Sequence, residues 1–402
     1  MSQGKRHRQD LYHALLPPKV SRFFPDNRVI LLQNGAEYFP ALEAAFDQAK
    51  HEIYLETYIY EDDAAGQMIA AALGRAVLRG VKVHLLIDGY GCKDLSSAML
   101  ERLQADGVQT LIYRPKISPW TFQRKRLRRL HRKIVVVDRE IAFVGGINIV
   151  DDRTTLSDLP PRFDYAVSVQ GPLVEVIRLS AQHLWSLVAW TSFRKGTILD
   201  RTPPVATTTG GRMNAAFLVR DNIRHRRDIE AAYLAAIDGA ESEIILANAY
   251  FLPGYHFRHA LIKAAGRGVR VVLLLQGKYD HFLQHYAAQA LYGSFLDGGI
   301  EIYEFHKSFL HAKVAVIDGH WATVGSSNID PFSLLLSREA NVVVDDREFG
   351  ASMAESLHRT MAGDGRRIVR DIWKTQPLGL RLMSWLCFGF LRLMMGISGY
   401  AK

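Results

Sequence analysis

Cysteine is nearly absent from this chain of 402 residues: Cys92 and Cys387 are the only two, and they lie far apart. That scarcity argues against a disulfide framework or a cysteine-built zinc site, and it fits a reducing compartment. The N-terminus (MSQGKRHRQDLYHALLPPKV) is basic but no apolar stretch follows it, so neither a secretory signal nor an N-terminal membrane span is expected. Acidic residues are missing from Gly107 through Val137. What is present points the other way from disorder, since 48% of the residues are hydrophobic, enough for packed cores. The length suggests two domains of about 150–200 residues each. A formal charge of +9 calls for an anionic partner, whether nucleic acid, an anionic membrane or a phosphorylated substrate.

The chain repeats itself. Residues 53–60 (IYLETYIY) are strand-like, a helical stretch follows, and RGVKVHLLIDG at 79–89 closes the series. Residues 244–251 (IILANAYF) begin it again, and RGVRVVLLLQG at 267–277 closes it. Each unit reads strand, helix, buried strand, with glycine at the helix exit. Two strand–turn–strand units come later, LHRKIVVVDREIAFVGGIN at 130–148 and LHAKVAVIDGHWATVGSSN at 310–328. Strands alternating with helices in both halves predict an α/β layered fold. The predicted divisions are an extension at 1–26, lobes at 27–194 and 213–376, a Thr/Pro/Gly-rich linker at 195–212, and an apolar tail at 377–402.

The later units carry an H-x-K-x4-D pattern. His131, Lys133, Asp138 and Asn148 of the first copy match His311, Lys313, Asp318 and Asn328 of the second, 180 residues on. Residues two apart on a strand share a face, so each histidine projects with its lysine. An ammonium so close makes a poor metal site, because it has no free lone pair and repels a cation. It makes a good oxyanion site, where fixed positive charge meets the charge developing on a phosphoryl group. One imidazole can attack phosphorus while the other gives a proton to the leaving alcohol, and the pair should titrate as a coupled unit. Asp138 and Asp318, counted with the catalytic residues, fall where a carboxylate accepts backbone N–H groups or orients a histidine. Asn148, Asn328 and Ser326 are candidate donors to phosphate oxygens. The first copy has Gly146 where the second has Ser326.

These paired motifs resemble those of the phospholipase D superfamily, from about Val29 to Trp373. The resemblance implies a duplicated α-β-α sandwich, two lobes related by a pseudo-two-fold axis around one shared site, a phosphohistidine intermediate, and neither metal nor cofactor. It also implies that Glu339, and in the first half Asp164, orient histidines, and it favours His131 as nucleophile with His311 as acid/base. LIDGYGCKDLS at 86–96, ANAYFLPGYHF at 247–257 and HWATVGSSNIDPFSL at 320–334 are similar to bacterial cardiolipin synthases of the B type. That likeness implies transfer of a phosphatidyl group to phosphatidylglycerol, releasing a small alcohol such as glycerol, by a peripheral enzyme on the cytoplasmic face of the inner membrane.

Two stretches bear on the substrate. RKRLRRLHRK at 124–133, with Trp120 and Phe122 nearby, reads as a basic mouth that gathers anions. Between Arg381 and Arg392 lie ten residues, nearly all apolar, short of the ~20 needed to span a bilayer. They suit an interfacial helix in one leaflet of an anionic membrane, or a helix docked on the second lobe. On this reading phospholipid is the partner and no nucleic acid is expected, while a hydrolytic phospholipase D or a nuclease of the same fold are the alternatives.

Overall fold

The computed structural model describes residues 22–115, 128–152, 160–192, 211–221, 225–278, 282–330, 337–375 and 377–397. Most of the N-terminal extension, Trp120, Phe122, the basic run as far as Leu127, and the linker up to residue 210 lie outside them.

The first half runs β1 (Phe24–Gln33), α1 (Asn34–Gln48), β2 (Glu52–Thr57), α2 (Ala64–Leu78), β3 (Lys82–Asp88), α3 (Ser97–Ala105), β4 (Gln109–Tyr113), β5 (Lys133–Val137), β6 (Ile141–Gly145), β7 (Tyr165–Gln170) and α4 (Leu173–Thr191). The second runs β8 (Met213–Arg220), α5 (Asp228–Gly239), β9 (Glu243–Asn248), α6 (Tyr255–Gly266), β10 (Arg270–Gln276), α7 (Phe282–Gln289), α8 (Tyr292–Asp297), β11 (Glu301–Phe305), β12 (Lys313–Ile317), β13 (Trp321–Gly325), β14 (Glu339–Asp345) and α9 (Arg347–Asp364). β15 (Gly365–Ile368), α10 (Arg370–Lys374) and α11 (Leu378–Ile397) follow.

Strand order shows the duplication directly. From the centre outward the first half reads β1-β7-β6-β5-β2-β3-β4 and the second β8-β14-β13-β12-β9-β10-β11, with β15 added at the second edge. β1 and β8 pair antiparallel at the centre and join the halves into one sheet. In each half the inner strands are antiparallel and the outer three parallel. The parallel strands β2, β3, β9 and β10 are covered on both faces, which is why their sequences are continuous apolar runs.

The repeated Arg-Gly-Val signature has a local cause. Gly80 and Gly268 sit at φ +88° and +93°. The N–H of Val81 reaches back to Ala76 O at 3.1 Å, and that of Val269 to Ala264 O at 3.2 Å, so both helices end in the same left-handed turn. Three apolar clusters result. One lies under the outer helices of each lobe, and a third between the lobes draws on α4, α9 and strands of both halves.

α11 docks on the second lobe through Cys387 and Leu391, while Leu382, Trp385, Leu386, Phe390 and Leu393 are exposed. Among the described residues no helix is long and apolar enough to cross a membrane.

Candidate active site

Both histidines stand just ahead of a strand, on approach segments that the lobes exchange. Leu130 bridges to Arg338 of the second lobe and Phe163 of the first lobe bridges to Leu310. The His131 N–H donates to Arg338 O at 3.0 Å, and the His311 N–H to Phe163 O at 2.8 Å. Each approach is also held from its own lobe: Asp88 Oδ2 accepts the Leu130 N–H at 2.8 Å and Gln276 Oε1 the Leu310 N–H at 2.9 Å.

The carboxylates cross over. His131 Nδ1 of the first lobe lies 3.1 Å from Glu339 Oε2 of the second. His311 Nδ1 of the second lies 2.6 Å from Asp164 Oδ2 of the first. A carboxylate at Nδ1 fixes the ring and leaves Nε2 as the nitrogen that can attack or carry a proton. Lys133 and Lys313 donate to the carbonyls of His131 and His311 respectively, the first at 2.8 Å. Tyr58 stands edge-on to the His131 ring, 4.9 Å between centroids, with Lys133 Nζ 5.4 Å from the centre of the Tyr58 ring.

Burial dominates the electrostatics. It lowers His131, against the attraction of Glu339 and with the help of Lys133 and Lys313. It holds His311 well below its ordinary value, reinforced by both lysines, Arg162 and His131. Asp164 is pushed up to about 7 by burial, against Lys313 and Lys133, and Lys133 is brought down to about 7. The neutral forms of the buried pair Asp164 and His311 are therefore favoured over the ions.

The other expected residues fall elsewhere. Asp138 and Asp318, grouped by sequence with the catalytic residues, require a correction: both occupy the far ends of β5 and β12. There Asp138 accepts the N–H groups of Lys50, His51 and Glu52 at 2.8–2.9 Å. Asp318 does the same for Glu241, Ser242 and Glu243 at 2.8–3.0 Å. Their φ angles of 53° and 51° are of the kind aspartate tolerates, so each is a turn residue that ties β5 to β2 or β12 to β9. Ser326 likewise does not point its hydroxyl at a substrate position, because it donates to Glu339 Oε2 at 2.6 Å and accepts the Ala340 N–H at 3.1 Å. Asn148 lines a cleft with His311, Asp164, Asn34, Asp152 and Arg162, its Oδ1 accepting the Ile59 N–H at 3.2 Å. Asn328 is buried at the matching place after β13.

Gly146 is small for a reason visible here. A Cβ at this position would fall 2.4 Å from Asp164 Oδ1 and 2.5 Å from Oδ2. Sequence reading missed Tyr58, Asp88, Gln276 and Asn34, whose backbone N–H donates to Asp164 O and whose Oδ1 accepts the Asp164 N–H. Asp88 and Gln276 did leave a signal, since each precedes the glycine that closes a repeated buried strand. Among the described residues no three His, Cys, Asp or Glu side chains converge as a metal site.

Comparison with known proteins agrees with this geometry. A family described as "Cardiolipin synthase, PLD-like domain" matches residues 42–159 and 233–361. Cardiolipin synthase B of Shigella flexneri is 39% identical over 379 residues, 93% of this chain and 90% of that protein. Its namesake in Salmonella typhi is 40% identical over 380 residues, again 93% and 90%. Among solved structures, phosphatidylserine synthase of Haemophilus influenzae superposes with a TM-score of 0.68, covering 97% of both chains at 14% identity, a likeness of fold. With the family matched in both lobes and close relatives matched along nearly their whole length, this chain belongs to the cardiolipin synthase family of phospholipase D-like proteins.

Proposed function

We propose that the chain is a cardiolipin synthase, a phosphatidyltransferase that joins two phosphatidylglycerol molecules through a phosphohistidine. The observation that carries the chemistry is the crossed pair of histidine–carboxylate contacts flanked by two buried lysines. His131 is the nucleophile: neutral, its Nδ1 fixed by Glu339, it attacks phosphorus through Nε2. The P–O bond to the departing glycerol breaks, and that oxygen takes a proton from His311 Nε2. His311 then removes the proton from a hydroxyl of a second phosphatidylglycerol. That oxygen attacks phosphorus, the P–N bond breaks, and cardiolipin leaves. Lys133 and Lys313 offset the charge on the transferring phosphate. Asp164 suits His311 to the acid role, because a carboxyl raised to about 7 keeps a proton close to the imidazole at neutral pH.

α11 is the membrane contact on this reading, with Leu382, Trp385, Leu386 and Phe390 in one leaflet and Arg381 and Arg392 at headgroup level. Labelled phosphatidylglycerol in vesicles tests the reaction, with products identified by mass spectrometry. Cardiolipin and glycerol are expected in equal amounts; phosphatidic acid alone would make the protein a hydrolase.

A further inference from the structure

The outer edge of the second lobe holds a cavity of about 260 Å³, away from the paired histidines. It opens beside β15, a strand with no counterpart in the first lobe. Glu304 of β11 and Arg366 of β15 are direct partners in that ladder, so their side chains share a face of the sheet. They nevertheless make no ion pair with one another.

Glu304 is 6% exposed. Its Oε2 meets His306 Nε2 at 3.2 Å, its Oε1 makes no hydrogen bond, and the Tyr292 hydroxyl is the other polar group facing it. Gln289 brings a second buried acceptor to the same cavity: its Oε1 is unpaired while its Nε2 lies 3.1 Å from His285. A buried acceptor left without a donor costs about 1–3 kcal/mol, so two on one wall call for a ligand that brings donors. The guanidinium opposite calls for an anion.

We propose that this cavity is a second phospholipid headgroup site, separate from the paired histidines. It takes a phosphodiester at Arg366 and, a few atoms away, a hydroxyl or ammonium donor at Glu304 and Gln289. The volume suits a headgroup and excludes acyl chains, being below the ~300 Å³ at which drug-sized pockets begin. Trp373 on its rim leads directly along the chain into α11, whose outer face is apolar, and this gives the acyl chains a path. Choosing a lipid over a free phosphate ester rests on the reading of the chain as a membrane-surface phosphatidyltransferase.

The test uses the full chain labelled with fluorotryptophan and carrying His311→Ala, so that no lipid turns over. The Trp373 resonance is assigned by its loss in Trp373→Phe. Dihexanoyl phosphatidylglycerol and phosphatidylethanolamine should shift that resonance saturably, and phosphatidic acid, which lacks the donor, more weakly. Arg366→Ala should weaken the titration about tenfold or more. Glu304→Gln should erase the preference over phosphatidic acid while the melting temperature holds. An unmoved resonance, or equal affinity in Arg366→Ala, overturns the site. Titration by glycerol 3-phosphate as tight as by the lipids overturns the lipid assignment. Because the readout involves no turnover, failure to make cardiolipin refutes the proposed reaction without touching this site.

Discussion

Position for position, the two lobes support the same face with different residues. The first sets Glu56 against Arg132, with a 2.6 Å bond from Arg132 Nη2, where the second has Ala247 and Ala312. It sets Tyr58 on the His131 ring where the second has Ala249. It pairs Gly146 with Asp164, and the second pairs Ser326 with Glu339. The last difference is one of length. Aspartate keeps its carboxylate beside the strand end and occupies the space of a side chain at Gly146. Glutamate reaches a methylene further, and Ser326 fills the space it leaves and donates to it. Two solutions to one distance can therefore coexist in a single duplicated site.

Four experiments break or sharpen this comparison. His131→Ala and His311→Ala should each lower kcat by at least about a thousandfold, as expected for members of one unit. The lobes should still differ: phosphoenzyme from labelled lipid should be trapped by acid quench in His311→Ala and absent from His131→Ala. The reverse pattern would exchange their roles. Next, Arg132→Ala should cost about 3–5 kcal/mol in a urea melt by stranding the buried Glu56. Adding Glu56→Ala, which copies the second lobe, should recover most of that loss. A double variant no more stable than the single one would show that the pair is not a substitute for two alanines.

Gly146→Ser should lower kcat about a hundredfold by displacing Asp164, whereas Ser326→Gly should cost about tenfold or less, the worth of one hydrogen bond. Asp164→Glu added to Gly146→Ser should regain activity if side-chain length is the reason. The smallest effect is on stability. Burial lowers Lys133 to about 7 from the ordinary ~10.4, so its charged form opposes folding. That cost is fully present below about pH 7 and fades as pH rises toward 10. Lys133→Met should thus raise Tm by a few degrees at pH 6 and by less at pH 9, in thermal melts. A constant gain across that range would contradict the depressed lysine.

The sequence made the repeat, the buried strands and the His–Lys faces legible, because each is written in a local spacing of two or in a Gly-terminated helix. It hid the crossing, because Asp164 and Glu339 lie outside the motif and nothing in their spacing says which histidine each meets. Asp138 and Asp318 looked catalytic for the opposite reason: they sit inside the motif, yet their positive φ and backbone contacts make them turn residues. The Gly146/Ser326 mismatch was legible as a difference, and its cause needed the coordinates of the two carboxylates.

The exchange of partners also orders events in time. His131 finds its carboxylate 208 residues further along the chain, at Glu339. A nascent chain still short of that point has a histidine with no orienting group, and a fragment cut between the lobes has one too. The enzyme is therefore inert throughout its own synthesis and in its degradation products, and no separate inhibitor is needed to protect membrane lipids from half-made copies.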